Sequence, residues 1–487
     1  MTDAIALLLL VYCSWDWYRL VRSPNFSESF PWLQRGMAVG GLFWIMVIGS
    51  LFVAYPRALR LLSGLLVFAR LYRRWLDRRA TGYPPGPRDL LATFRSLIEP
   101  DFYQACRSRH GEIFKTSQFH HNVICLVSLE RFQELQAVHG KDLEPCPLPF
   151  HHHLAAGFLR YMRPEHYQVY GPLFRRALSR EVQNRAGEAA RSILPSRLSD
   201  VAEGRCDFHQ AMEETVFQAF LSSLFGLAPA SPLYRDFVEG YRSFSQQPYG
   251  EHPTAKTIAD LHRLCRFLQR EELYSDSNSA LSQFRELGNG LPDQACLENL
   301  LYIVRMSVGN VVGLLHWLMV VLAEHPVWLD RLREGSSDGD VADRVVRETL
   351  RLHQSEYLYR RIGRTFSYRG FEFPAGWLVR VCVRECHRDP AHFSSPQEFD
   401  PDRFRQPIKV KRYSPFGMST HACNGISINR SICLAFLESL AARYRLEMLK
   451  PVTPHRELRH WSHWRPAGKV RLSPLDSVSP GVEVELR

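Results

Sequence analysis

The residues with the clearest chemical potential lie in the last third of the chain. Cys423 ends the turn Ser414-Pro-Phe-Gly-Met-Ser-Thr-His-Ala-Cys423-Asn-Gly425, which opens directly onto the apolar run ISINRSICLAFLESLAARYRLEML. A cysteine at a helix N-terminus meets backbone N–H donors and the positive end of the helix dipole, which favours its thiolate. Such a thiolate serves as a nucleophile or as a metal ligand. Glu348 and Arg351 are three residues apart, the spacing at which two side chains meet on one helix face. Arg403 stands in the proline-punctuated loop Phe399-Asp-Pro-Asp-Arg403-Phe404, from which it can complete that pair as a triad. Each feature alone has an ordinary reading. A lone cysteine before a helix is commonly a small buried hydrophobe, and a Glu–Arg pair commonly decorates a solvated helix surface.

These residues need a scaffold, and the hydrophobic pattern supplies one. Apolar residues recur at helical spacing over about 209–227, 295–325, 341–352 and 426–447. Runs 123–127 (VICLV) and 377–383 (WLVRVCV) are short, β-branched and flanked by turn residues, so they read as strands. Segments 274–281 and 287–293 read as loops inside one domain. The Tyr83-Pro-Pro-Gly-Pro87 stretch cannot continue a helix and forms a stiff turn. The expected fold is mainly α with small β-sheets.

In order and separation, these pieces resemble the cytochrome P-450 superfamily, the haem-thiolate monooxygenases. The resemblance covers about residues 83–450 and includes the Pro-rich turn, the E-x-x-R helix and His387-Arg-Asp-Pro390. It also includes the Pro401-Asp-Arg-Phe404 loop and the cysteine loop. Of the family's F-G-x-G-x-R-x-C-x-G, this chain keeps Phe416, Gly417, Cys423 and Gly425; Ser419 replaces the second glycine and His421 the arginine. The resemblance implies haem b with Cys423 as its axial thiolate ligand, Phe416 packed near that ligand, and Glu348, Arg351 and Arg403 locking the core around the haem. It implies propionate contacts from His421, from Arg360 (with Arg361 beside it) and from His166, because Gly171 stands where the family often has arginine.

The same resemblance exposes a departure. The family's central helix usually carries an acid followed by threonine, which help deliver protons during oxygen activation. Here those positions are Gly309 and Asn310, with Ser307 nearby. An asparagine amide can still orient a water, so Asn310 and Ser307 are the candidate catalytic residues. The implied reaction is insertion of one oxygen atom from O2 into a lipophilic small molecule (sterol, terpenoid, polyketide or fatty-acid-like). Its electrons come from NADPH through a separate P-450 reductase, with cytochrome b5 as a further donor. The alternative is a haem-thiolate isomerase, dehydratase or peroxygenase that needs no reductase. A third reading, a haem-binding protein without turnover, stays open on Ser419, His421 and Gly171.

The 487 residues, 45% hydrophobic and 23% charged, carry a formal charge of +11. Those values are ordinary for a globular protein and argue against wholesale disorder or a multi-span membrane protein. Eleven scattered cysteines without a CxxC pair argue against a disulfide framework or a zinc ribbon. His120, His121, His151, His152 and His153 read as loop histidines. Residues 36–55 form an uncharged apolar run of 20, long enough as a helix to cross a bilayer core of about 30 Å. The shorter run 4–13 is a poor signal peptide. Arg57, Arg60, Arg70, Arg73 and Arg74 come after the span, which puts the remainder on the cytosolic side, as in the endoplasmic reticulum. The expected organisation is an anchor over 1–56, a basic amphipathic linker over 57–82 and a catalytic domain over 83–487. Lys409, Lys411 and Arg412 are candidates for docking an acidic redox partner. No nucleic-acid motif is found.

Overall fold

The computed structural model describes residues 82–486, apart from 88–91, 93–94, 97, 119–120, 148, 246–251, 277, 289, 336–339, 354–357, 419–421, 457–463 and 477–480. The expected membrane span 36–55, the run 4–13 and the basic stretch 57–79 lie outside these residues. The described residues pack as two compact units. One comprises residues up to Cys125 together with Ile362–Leu378, the other Leu126–Arg361 and Val379–Arg487.

The smaller unit holds α1 (Phe102–His110), β1 (Ile113–Gln118), β2 (His121–Leu126) and, from its second segment, an antiparallel pair of short strands. The Pro-rich turn docks on β1: Lys115 N–H donates to Pro85 O at 2.8 Å. Gly86 has φ +136°, and a Cβ there would collide with the Lys115 carbonyl, so only glycine fits.

The larger unit begins with α2 (Leu129–His139), β3 (Leu143–Pro145), α3 (Pro164–Ala177), α4 (Arg180–Ala202) and α5 (Phe208–Phe225). It continues with α6 (Pro232–Ser245), α7 (Ala255–Leu268), α8 (Ala280–Gly288), α9 (Gln294–Glu324), α10 (Pro326–Arg333) and α11 (Val341–His353). Next come β4 (Leu358–Ile362), the smaller unit's pair β5 (Phe366–Tyr368) and β6 (Phe371–Phe373), β7 (Leu378–Val381) and α12 (Val383–Cys386). The chain closes with α13 (Ile426–Arg443) and an antiparallel sheet of β8 (Tyr444–Arg456), β9 (Trp464–Pro474) and β10 (Val482–Leu486).

The core is built from α4, α5, α9 and α13, which pack on one another. In α4 the residues Val182, Ala186, Ala190, Leu194 and Leu198 are fully buried at four-residue spacing, a single stripe on one face. Gly187 lets α13 approach: a Cβ there would sit 3.1 Å from the Ser431 Cβ. Side-chain caps start the helices, with Asp293 accepting from Cys296 N at 2.8 Å and Asp207 from His209 N at 2.8 Å. Among the described residues α9 alone is long and apolar enough to cross a bilayer, yet most of it is buried inside the protein, so here it is a core helix.

The structure shifts several expected boundaries. The helix expected over 426–447 ends at Arg443, because Tyr444, Leu446 and Met448 alternate with Arg445 and Glu447, a strand period. Those residues pair with β9, Leu446 opposite Leu472. The strand expected to Val383 stops at Val381 and a short helix succeeds it. Both expected loops, 274–281 and 287–293, lose their inner ends to α8, whose start is fixed by Ser279 Oγ accepting from Ser282 N at 3.2 Å.

Phe436 is fully buried on α13, 6.1 Å from the Phe208 ring. Phe436→Ala is expected to cost about 3–5 kcal/mol, read as a lowered denaturation midpoint with unchanged slope.

Candidate functional site

Arg351 uses every donor it has. Its Nε and Nη2 bind the two Glu348 carboxylate oxygens at 2.7 and 2.8 Å. Its Nη1 donates to His387 O at 2.9 Å and Pro396 O at 2.8 Å, and Nη2 also reaches Glu398 O at 3.0 Å. Glu348 Oε1 accepts in addition from Arg403 Nε and from Asp400 N, both at 3.0 Å. Both Glu348 and Arg351 are 0% exposed. Burying charges is costly unless they are paired and hydrogen-bonded, and here one bidentate pair fastens α11 to the whole 387–403 segment. The structure therefore brings Glu348, Arg351 and Arg403 together.

That segment leads to the cysteine loop. His387 Nε2 accepts from Ser414 N at 2.9 Å, so the proton is on Nδ1. Burial, and then Arg351, push the His387 pKa down to about 3, which keeps the ring neutral and able to accept. Ser414 Oγ donates to Gly417 O at 2.6 Å, Gly417 turns at φ +81°, and Cys423 N donates to Phe416 O at 2.9 Å. Gly425 is the N-cap residue of α13; a Cβ there would stand 3.7 Å from Cys423 Sγ. Phe416, Cys423 and Gly425 are all half-buried. His421 and Ser419 lie outside the described residues.

One arginine reaches this loop, and its charge is felt by a second. Arg360 on β4 is buried, with Nη1 donating to Tyr359 O at 2.7 Å. Burial, and then Arg160, hold its guanidinium below the ordinary arginine value. The Arg160 Nη2 stands 3.9 Å from where a Gly417 Cβ would be. Arg160, in the 3-10 turn Leu159–Tyr161, belongs to no sequence motif, and only the fold carries it to Gly417. Arg361 is exposed and bonds the Cys146 thiol, which burial nevertheless pushes up. His166, in the first turn of α3, hydrogen-bonds the Ala156 carbonyl through Nδ1 at 3.1 Å. Gly171 is covered by Tyr167: a Cβ there would lie 2.8 Å from the ring, so a larger side chain would have to push that ring aside.

The central helix α9 is buried on most sides but carries a half-buried stripe of Ile303, Met306, Ser307, Asn310 and Leu314. Their spacing of 3, 1, 3 and 4 places them on one face. Ser307 and Asn310 thus share that face one turn apart. Nearby Arg305 is 4% exposed, with its guanidinium 4.8 Å from the Phe150 ring and 5.1 Å from the Phe244 ring. Its Nη1 donates to Phe244 O at 3.3 Å. His151, expected in a loop, lies instead in the 3-10 turn Pro149–His153 and is 2% exposed, stacked 5.0 Å from Tyr161. Its pKa falls to about 3, from burial first. Among the described residues no cluster of three metal-ligating side chains occurs.

Comparison with known proteins agrees with this layout. The Cytochrome P450 family model matches residues 314–473, which include Glu348, Arg351, Arg403, Cys423 and Arg465. That stretch is about a third of the chain, and over it the chain is similar to the Cytochrome P450 family. Abscisic acid 8'-hydroxylase 3 of Oryza sativa subsp. japonica is 27% identical, over 72% of this chain and 77% of its own length. Abscisic acid 8'-hydroxylase 1 of Arabidopsis thaliana is 23% identical, over 84% of this chain and 92% of its own. A retinoic acid-bound cyanobacterial CYP120A1 superposes with TM-score 0.66 at 18% identity, covering 81% of this chain and all of that one. A zebrafish cytochrome P450 with abiraterone gives 0.59 at 16% identity, covering 79% of this chain and 96% of that one. Cytochromes P450 carry haem on a cysteine thiolate. The residues of this chain fit that group: a cysteine one turn ahead of a helix, and the Arg160 guanidinium, suited to a carboxylate, beside the cysteine's loop.

Two outcomes are expected. Arg351→Met strands the Glu348 carboxylate and is expected to cost about 3–5 kcal/mol in denaturant unfolding. His387 binds its proton more readily unfolded than folded, so stability is full above about pH 6.5 and falls as pH drops toward about 3. In His387→Asn, that part of the acid-unfolding curve is expected to flatten.

Proposed function

We propose that this chain is a cytochrome P450, a membrane-anchored monooxygenase that inserts one oxygen atom from O2 into a lipophilic acid, with electrons from NADPH through a separate reductase. The observation that carries it is the continuous chain of bonds from Glu348 and Arg351 through His387 to the loop of Cys423. In this reading Cys423 is the haem ligand, and the bonds on Ser414, Gly417 and Phe416 fix where its sulfur stands. Bound haem supplies the oxygen-activating chemistry, favoured by electron donation from the thiolate. Phe416 packs near the ligand, and Gly425 lies at van der Waals distance from the sulfur. Arg360, joined by Arg160, takes the haem carboxylates, with His166 and His421 as further donors.

On the opposite side of the reaction Asn310 orients a water through its amide and Ser307 supplies a hydroxyl on the same face. The substrate reading draws on Phe150, Tyr302 and Phe244 around Arg305, an apolar surround for one acidic head group. The abscisic acid in the relatives' names has that character, which makes it the first substrate to try. Lys409, Lys411 and Arg412 are exposed just ahead of the cysteine loop, although Lys411 pairs with Glu130 at 3.1 Å. They are the proposed docking points for the acidic face of the reductase or of cytochrome b5.

Gly309 and Asn310 favour a second reading, a haem-thiolate isomerase, dehydratase or peroxygenase working without a reductase. The two are separated by offering abscisic acid with NADPH and reductase, or a hydroperoxide alone. Product only in the first format supports monooxygenation; product only in the second removes it. The reduced, carbon monoxide-bound absorption band that names the family is expected in the parent and lost in Cys423→Ala, and its persistence there would sink the assignment of the ligand. Deleting residues 1–56 is expected to release the protein from membranes with that band intact.

A further inference from the structure

Arg465 is the second residue of β9 and is 1% exposed, among the largest fully buried side chains of the described residues. Its guanidinium reaches the central helix, where Nη2 donates to Gly309 O at 2.8 Å. It also lies against Gly313: a Cβ there would fall on Nη1 and stand 2.9 Å from Cζ. Gly309 and Gly313 are four apart and share a face of α9, alongside the stripe that bears Asn310. Position 313 is glycine for a steric reason, and the arginine occupies the room that this absence creates.

The bonded carbonyl is the decisive detail. Gly309 C=O belongs to the same planar peptide unit as the Asn310 nitrogen. Holding that oxygen holds the plane, and with it the direction in which the Asn310 side chain leaves the helix. Two glycines four residues apart give the backbone unusual freedom; a hydrogen bond from a charged donor restrains it. A guanidinium does not lose its proton at working pH, so this restraint persists where a carboxylic acid at position 309 would titrate.

We propose that Arg465 is a positioning residue that fixes the Gly309–Asn310 turn, so that Asn310 presents its amide to the reaction. This rests on the proposed role of Asn310 in orienting water. The test uses full-length, haem-loaded protein and the variants Arg465→Met, Arg465→Lys, Gly313→Ala and Asn310→Ala. Two quantities are read: amide hydrogen exchange over residues 306–317, and hydrogen peroxide released per NADPH oxidised with reductase and abscisic acid present. Arg465→Met is expected to speed exchange in that segment about tenfold and to raise peroxide release severalfold. Gly313→Ala moves both the same way because its methyl displaces the guanidinium, and Arg465→Lys recovers part of each. Unchanged exchange in Arg465→Met and Gly313→Ala overturns the proposal. So does faster exchange with unchanged peroxide, if Asn310→Ala raises peroxide. Should Asn310→Ala leave peroxide unchanged, the role of Asn310 fails, and the exchange result alone decides whether Arg465 sets the turn.

Discussion

A carboxylate and a guanidinium removed from water hold this molecule in order. Glu348 and Arg351 sit three residues apart on α11, both fully buried, and their bidentate contact would be costly if any remaining lone pair or proton went unused. None of the five guanidinium donors is idle. Three of them tie down backbone carbonyls at His387, Pro396 and Glu398, so a long irregular stretch without regular structure is held by one side chain. Arg403 and Asp400 N close the arrangement on the carboxylate side.

The chain beyond residue 387 inherits that order. His387, fixed through its own carbonyl, accepts from Ser414 with a ring kept neutral by burial. Ser414 then bonds Gly417, and Phe416 bonds Cys423, so the position of one sulfur is set by a relay that begins two elements away. On α9 the same logic runs in the other direction. There the backbone is loosened by Gly309 and Gly313, and the restraint comes from a distant strand through Arg465.

Buried arginine is the recurrent device. Seven arginines (Arg305, Arg344, Arg351, Arg360, Arg380, Arg384 and Arg465) are buried among the described residues. A charge of +11 suggests basic surfaces facing a membrane or a redox partner, yet part of it is interior. A planar, permanently charged fork with five donors suits this use, because it can satisfy several carbonyls at once and still lay its face on an aromatic ring. Arg305 between Phe150 and Phe244 and Arg351 over Phe393 at 5.2 Å are two examples.

The sequence by itself was enough to suggest the mainly helical fold class and the meeting of Glu348, Arg351 and Arg403, because those features are local: a helical period, a spacing of three, a punctuated loop. It also located the central helix to within a residue at each end, since thirty-one mostly apolar residues leave little choice. It misread where α13 ends, because apolar residues at the junction satisfy both periods until pairing with β9 decides. Only the tertiary structure decided which cation reaches the cysteine loop and which side chain bonds the Gly309 carbonyl of the central helix. Arg160 is more than two hundred and fifty residues from Gly417 and Arg465 is one hundred and fifty-six from Gly309. No periodicity or motif links residues so far apart; their meeting depends on how helices and strands pack. Gly313 shows the limit plainly, for a glycine inside a helix reads as a defect until the guanidinium that fills its space is seen.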